Sequence, residues 1–438
     1  MNFNSVSVLG LGRLGSSMAA AFASKNVVVK AYDINENTIK KINLGRPAVY
    51  EPGLKEFYLK FNKKILGFYS AGDCIDGTDI TFVVTPTPSL PNGSFNLEYT
   101  NNSFRDIALS IKKKKNFHLI VLVSTVLPGS FSKVLINTLE FYSKKKINLD
   151  FGVVYNPAFI ALGSVMQNFL NPDFILIGSD QKKSTNIIKS FYKKILSKPN
   201  FKEMSILSAE LTKLVLNTYI TTKITYINMV SDVLDKLSID KNGSDIDKIS
   251  AALGSDVRIG NKYITAGIGY GGPCFPRDNN ALKYISKKFR LNFNIATLTH
   301  NYNKFCWIRP LQKIKKYLKK NLNVCVIGIA YKEGSNVIEE SQGLKIAKKL
   351  SKKAKWIYCY DPLSKYIDQT CFKNNLILTD DLELAVKKSK IIIIAGQLRK
   401  IEKINKNFLK NKIILDFWRI LKNKDMKPKK YIALGYKK

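Results

Sequence analysis

Short apolar runs closed by glycine, proline or small polar residues alternate with longer stretches of helical periodicity over the first part of the chain. Ser5 to Leu9 is the first such run; a glycine turn follows, and Ser16 to Ser24 reads as a small-residue helix. Val27 to Tyr32 is a second strand ending at Asp33. Asp79 to Val84 ends in Thr85-Pro86-Thr87-Pro88, Leu119 to Val123 ends in Ser124-Thr125-Val126, Val153 to Tyr155 leads to Asn156-Pro157, and Phe174 to Ile177 reaches Gly178. Strands alternating with helices predict a doubly wound parallel sheet, whose ligands gather at the carboxyl ends of the strands. Any one of these polar strand ends, taken alone, reads equally well as turn chemistry.

From Ala209 to about Lys236 the period becomes helical, with Leu211, Leu214, Val215, Tyr219, Ile220, Ile224, Ile227 and Val230 on apolar positions. More helix is expected to about residue 300, broken by a glycine loop, and a lysine-rich helix around Pro310 to Asn321. A second α/β repeat then runs through Val324 to Ile329, Trp356 to Tyr360, Ile391 to Ala395 and Ile413 to Leu415. The expected fold class is α/β, with two doubly wound Rossmann-like domains joined by a long central helix and a helical domain. The expected boundaries are 1–205, 206–305 and 306–438.

The first turn reads Gly10-Leu11-Gly12-Arg13-Leu14-Gly15, and Asp33 falls 18 residues after Gly15. Strand before, helix after and an acid at the end of the second strand make this a dinucleotide fingerprint. The glycines let a pyrophosphate approach backbone N–H groups at the helix start, and Asp33 can accept from both ribose hydroxyls. A carboxylate there repels a 2′-phosphate, so NAD is expected rather than NADP. The second sheet lacks the fingerprint and should bind something other than a dinucleotide.

Gly267 to Asp278 reads Gly-Ile-Gly-Tyr-Gly-Gly-Pro-Cys-Phe-Pro-Arg-Asp. Such a stretch suits the presentation of a thiol, and Arg277 or a helix start beside Cys274 would favour its thiolate. A glycine-rich turn with a buried cysteine is the competing reading. On the long helix, Glu210, Lys213 and Asn217 share one polar stripe, which reads either as a solvent face or as site residues at a domain junction.

Composition narrows these readings. The six cysteines show no C-x-x-C spacing, as expected of thiols in a reducing compartment, and the two histidines, His118 and His300, give a metal site or a serine triad little material. No metal is expected. The formal charge of +38 raises nucleic-acid binding as a function class. Its lysines are scattered, with short runs at Lys112–Lys115 and Lys144–Lys146 that no stacking aromatics interleave, so a solvated surface and no nucleic-acid partner are expected. Apolar runs are too short to span a bilayer and the N-terminus lacks a signal pattern, so no membrane insertion and a cytoplasmic location are expected.

Taken together, Gly10 to Gly15, Tyr50-Glu51-Pro52-Gly53-Leu54, Ser124-Thr125-Val126, Asn156-Pro157, the Ala209-Glu210-Leu211-x-Lys213-x-x-x-Asn217 helix, the cysteine loop and Gly328 to Lys332 resemble the UDP-glucose and GDP-mannose dehydrogenase family. The resemblance runs over nearly the whole chain. It implies NAD-dependent, four-electron oxidation of C6 of a nucleotide sugar for surface polysaccharide, with Cys274 as the nucleophile that traps the aldehyde. Lys213 and Asn217 would donate to the developing oxyanion, Asp278 would orient or activate water or the thiol, and Thr125 would line the site. Gly10, Gly12, Arg13, Leu14, Gly15, Asp33, Thr87, Thr125 and Arg277 would meet the cofactor. Tyr263, Gly271, Lys332 and Arg419 would hold substrate with Lys213 and Asn217, and Arg258 would reach a neighbouring subunit's site, implying a homodimer on the long helix. UDP-glucose leads as substrate; UDP-N-acetylhexosamines and GDP-mannose remain open.

Three positions depart from the family pattern. Ala158 stands where a glutamate usually follows Asn-Pro to help hydrolyse the thioester, and Leu162 replaces a second acid. A lost general acid/base is worth typically ~10²–10⁴ in rate, so a nucleotide-sugar-binding protein with impaired hydrolysis is the alternative. Glu339 stands where the family has an arginine before Glu-Ser, which bears on one cofactor or interface contact.

Overall fold

The structure is a computed structural model that describes residues 3–237, 243–292 and 294–437. The chain forms two compact units, Met1–Val215 and Leu216–Lys438. Each is built on an eight-stranded sheet.

In the first unit the strands are β1 Ser5–Leu9, β2 Val28–Tyr32, β3 Ile65–Phe68, β4 Ile80–Val83, β5 His118–Leu122, β6 Phe151–Tyr155, β7 Ile175–Gly178 and β8 Phe201–Met204, in spatial order β3-β2-β1-β4-β5-β6-β7-β8. All neighbours pair parallel except β6 with β7. Every residue of β4, β5 and β6 is buried, because helices cover both faces of the sheet. One core layer packs Val6, Val8, Phe22, Phe82 and Phe191, and the other packs Leu9, Phe104, Phe131 and Tyr155. The first helix, Arg13–Ser24, buries every residue from Gly15 to Ala23, most of them small, so it lies close on the sheet and holds its N-terminus at the end of β1.

The second unit contributes β9 Ser244–Asp245, β10 Val324–Ile327, β11 Ile357–Tyr360, β12 Leu376–Thr379, β13 Ile391–Ile394, β14 Ile413–Asp416, β15 Lys430–Ala433 and β16 Tyr436–Lys437. Their order is β12-β11-β10-β13-β14-β15-β16-β9, parallel as far as β15 and antiparallel for the last two pairings. The registers of the two units correspond: Leu9 sits opposite Tyr32 and Ile327 opposite Tyr360. Each sheet therefore places a glycine, Gly10 or Gly328, beside an aspartate, Asp33 or Asp361. The long helix is Ile206–Leu237; Ile246–Ser255, Phe275–Lys288 and Ile295–Ile314 follow it. Ile227, Ile246 and Ala266 form a small core of their own among these helices.

The central strands lie where the apolar runs predict them. Strands β3, β8, β12 and β15 carry half-exposed positions, and β9 and β16 are two residues each, so none shows a clear apolar run. The expected lysine-rich helix to Asn321 is shorter: the helix continues through Pro310 to Ile314 and ends in a 3-10 turn, Lys315–Tyr317.

Candidate active site

In the first unit, Gly10 follows β1 with φ +94°, and its N–H donates to Tyr32 O at 2.9 Å. A Cβ on Gly15 would stand 1.8 Å from Gly10 O, so glycine is required for the helix to pass the turn. Gly12 is the N-cap of the first helix, no side chain caps it, its first turn holds no acid, and space is open where its Cβ would be. Such an end suits a pyrophosphate. Asp33, half-buried, accepts from Leu11 N–H at 2.7 Å and Asn35 N–H at 2.9 Å, which fixes its carboxylate at the end of β2. These residues fit a dinucleotide.

The next carboxyl ends are tied together. Thr87 donates to Thr125 O at 2.6 Å and Ser124 to Thr85 O at 2.6 Å, which joins the segments after β4 and β5. Asn156, after β6, donates to Leu176 O and accepts from Tyr192, so it serves as an anchor. Glu210 has no exposed surface and takes the N–H groups of Gly129 (2.6 Å) and Phe131 (2.9 Å). Burial pushes its carboxyl above the usual range, and those two donors pull it back. Lys213, also buried, donates to Ala158 O at 2.7 Å and lies over the Phe159 ring. The polar stripe on the long helix is therefore not a solvent face: Glu210, Lys213 and Asn217 are all buried.

In the second unit Cys274 is exposed and is the N-cap residue of the helix Phe275–Lys288, with Pro276 in its first turn. The competing reading of a buried cysteine does not hold for this position. The other cysteines are buried apart from the half-buried Cys371, and burial pushes the Cys74, Cys306 and Cys359 thiols up to about 12. Asp278 is fully buried one turn on; it accepts from Asn217 Nδ2 at 2.5 Å and Arg277 Nε at 3.1 Å, and its N–H donates to Cys274 O at 2.9 Å. The long helix thus fixes the acid that follows the cysteine. Asn279, the next residue, bonds Thr221 of the same helix and Phe275 O. Neither Asn279 nor Asn303, which brackets Tyr270 in the loop, was marked by the sequence, because a lone asparagine carries no spacing signal.

The remaining expected site residues are more dispersed. Lys332 is half-buried after β10, in the turn that also holds Tyr331. Gly271 lies against Glu340 O, and Tyr263 is half-exposed with φ +66°. Arg258 is exposed and clamped by both oxygens of Asp256. Arg419 was expected to hold substrate. Its five N–H donors go to Asp247 twice, Phe417 O, Leu434 O and Ala266 O, so this buried side chain fastens the end of β14 to the helix Ile246–Ser255. Lys422 adds ion pairs to Asp245 and Asp247. Among the described residues no cluster of His, Cys, Asp or Glu could hold a metal, and no helix is long and apolar enough to cross a membrane.

Three family profiles match in succession: the NAD binding domain of the UDP-glucose/GDP-mannose dehydrogenase family over residues 4–196, its central domain over 207–305 and its UDP binding domain over 325–423. A UDP-glucose 6-dehydrogenase of Rickettsia bellii is 30% identical over 434 residues, covering 95% of each chain. A GDP-mannose 6-dehydrogenase of Pseudomonas syringae is 25% identical over 94% of this chain and 95% of its own. The structure of a UDP-glucose dehydrogenase from Pyrobaculum islandicum superposes with a TM-score of 0.89 at 27% identity, over 99% of this chain and 98% of that one. With the fingerprint turn and Asp33 shaped for NAD, and the three domains in this order, the chain belongs to the UDP-glucose/GDP-mannose dehydrogenase family, whose members are NAD-dependent nucleotide-sugar dehydrogenases.

Proposed function

We propose that the protein oxidises the C6 hydroxyl of a nucleotide sugar to the acid, with UDP-glucose as substrate, through a covalent adduct on Cys274. The observation that carries this reading is the exposed thiol at a helix start, one turn from a buried aspartate that the long helix holds through Asn217. The glycine turn and Asp33 would hold NAD, which would supply the hydride acceptor for each of the two oxidations at C6. Cys274 adds to the aldehyde of the first oxidation to give a thiohemiacetal; loss of a second hydride leaves a thioester, and water releases the acid and restores the thiol. Lys213 and Asn217 donate to the oxygen that gains charge, and Asp278, fixed by Asn217 and Arg277, orients the water or the thiol. Thr87, Thr125 and Arg277 line the cofactor, and Lys332, Tyr263, Gly271 and the partner copy's equivalent of the Arg258 position complete the sugar-nucleotide site.

In this reading residues 1–205 bind NAD, 206–305 make a homodimer and carry the cysteine, and 306–438 bind the UDP-sugar in the cytoplasm. Tyr219, Tyr226, Met229, Val233 and Leu237 are exposed at helical spacing on the long helix, with Leu237 at 72%, which supports a dimer along it. A second reading has one specific support: Ala158 offers only its carbonyl, to Lys213, and no acid for hydrolysis.

The test is NADH formed per UDP-glucose consumed, with the mass of the Cys274 peptide followed in the same reaction. Two NADH per sugar and an unmodified cysteine establish the full oxidation. A single burst with a sugar adduct on Cys274 establishes the stalled form, and no NADH with UDP-glucose, UDP-N-acetylhexosamines or GDP-mannose rejects both. Cys274→Ala is expected to abolish acid formation while NAD still binds.

A further inference from the structure

The segment just before Cys274 is gripped by the turn that follows β10. Gly272 N–H donates to Glu339 O at 3.1 Å. A Cβ on Gly271 would stand 2.4 Å from Glu340 O, and one on Gly272 would stand 2.6 Å from the Tyr331 ring, so main chain and ring close directly on both glycines. Gln342 Nε2 donates to Tyr270 O at 2.6 Å. The same carbonyl takes Asn303 Nδ2 at 2.8 Å, while Tyr270 N–H goes to Asn303 Oδ1 at 2.8 Å. Gln342 is only 4% exposed, and its Oε1 has no hydrogen-bond partner among the described residues. Leaving a buried amide oxygen unsatisfied is unfavourable, so the side chain stays for what its N–H side does.

The gripping turn is itself closed. Tyr331 N–H donates to Val337 O at 2.9 Å, and Ser341 Oγ donates to Ile329 O at 2.5 Å while capping the next helix by accepting from Leu344 N–H. A Cβ on Gly343 would stand 2.0 Å from Gly328 O, so the two ends of the turn abut. Tyr331 and Lys332 stand at one end of this closed turn and Glu339 to Gln342 at the other, all within the stretch matched by the UDP binding domain.

We propose that Gln342 is a positioning residue: it couples nucleotide bound in the UDP binding domain to the placement of Cys274, by way of Tyr270 and the two glycines. The proposal rests on the reading of Cys274 as nucleophile. A nucleotide diphosphate held near Lys332 fixes the turn, the turn fixes Tyr270 to Gly272 through Gln342 and Glu339, and the thiol two residues on takes its reactive position. An amide donor acting on a main-chain carbonyl can do this without touching substrate.

The probe is UDP, which lacks the sugar and so does not shield the thiol as substrate would. Iodoacetamide alkylation of Cys274 is followed by peptide mass with and without saturating UDP, in the wild type, Gln342→Met and Gln342→Leu; both variants remove the donor and place no charge at this buried position. In the wild type UDP is expected to change the alkylation rate of Cys274 about threefold or more. In both variants the rate should no longer respond to UDP, while UDP affinity and melting temperature stay near wild type. Turnover should fall about tenfold, with KM for nucleotide sugar and NAD changed less than about threefold, as for a misplaced reactive group. A response to UDP in either folded variant as large as in the wild type would overturn the proposal, as would a wild type that binds UDP with no change in alkylation. Absence of UDP binding, or turnover that survives complete alkylation of Cys274, would instead remove the reading beneath it.

Discussion

The glycine turns after β1 and β10 are the same device used for two purposes. Gly10 and Gly328 have φ of +94° and +91°, and each donates its N–H to the last residue of the neighbouring strand, Tyr32 or Tyr360, at 2.9 Å. Gly15 and Gly343 pass the carbonyls of Gly10 and Gly328 with no room for a side chain. Asp33 and Asp361 each accept from the turn and from the N–H two residues on. The differences lie in what remains open. The first helix is capped by Gly12 without a side chain, whereas the helix Gln342–Ser351 is capped by the Ser341 hydroxyl. Asp33 is half-buried; Asp361 is buried and takes three N–H donors, and burial pushes its carboxyl up against their pull. The first turn keeps a seat for pyrophosphate and ribose. The second fills the corresponding space with its own groups, and its longer connection meets the cysteine loop.

The largest effects should come where the two turns agree. Gly15→Val and Gly343→Val each force a side chain into a carbonyl, and each is expected to destabilise its unit by ~3 kcal/mol or more, read as a lost or lowered melting transition. The next substitutions should separate the turns. Asp33→Ala is expected to weaken NAD binding ~10–100-fold by titration calorimetry with little change in melting, as loss of charge-assisted hydrogen bonds predicts. Asp361→Ala should do the reverse, lowering stability by ~2–3 kcal/mol in urea while NAD affinity holds, because Ile329, Ala330 and Leu363 lose their acceptor.

A smaller contrast concerns pH. Each unit sets a lysine on carbonyls near the end of a helix: the half-buried Lys114 on Ile75 and Thr78, and the buried Lys412 on Val386 and Ser389. Burial lowers both, Lys114 to about 8. In the first unit Lys114 also donates to Nδ1 of His118, whose Nε2–H then donates to Thr81, and burial holds that imidazole well below its ordinary value. A depressed histidine contributes stability above its unfolded pKa of roughly 6.5 that is lost as pH falls below it. The first unit should therefore weaken in mild acid, and His118→Gln should flatten that decline in urea titrations compared across pH. The smallest effect is Ser341→Ala, expected to cost ~1 kcal/mol for a lost cap and to leave the first unit unchanged.

Much of this was legible in the chain because it is locally encoded. A positive φ demands glycine at Gly10, and the spacing to Asp33 repeats the geometry of strand, turn and strand. The cysteine loop announced an unusual backbone in the same way. The stripe of Glu210, Lys213 and Asn217 was visible, but not its burial, since polar residues at helical spacing look alike whether they meet water or the N–H groups of Gly129 and Phe131. The bonding of Arg419 was not visible, because its partner Asp247 lies 172 positions away and its other acceptors are main-chain carbonyls, which no side-chain pattern records. Gln342 left no signal for the same reason. Its whole effect passes through the Tyr270 carbonyl.

The pairing of β16 with β9 has a consequence for biosynthesis. Tyr436 and Lys437 lie beside Asp245 and Ser244, Ile246 N–H donates to Gly435 O, and Gly435 N–H donates to Asp235. A ribosome adding ~5–20 residues per second takes about 10–40 s to make the partner of β9 after β9 itself has emerged. Throughout that interval the apolar faces of Ile227, Ile246 and Ala266 lack their closing strand, while the first unit already has every strand it needs. The nascent second unit is thus the part of the protein whose apolar faces wait longest for their cover during synthesis.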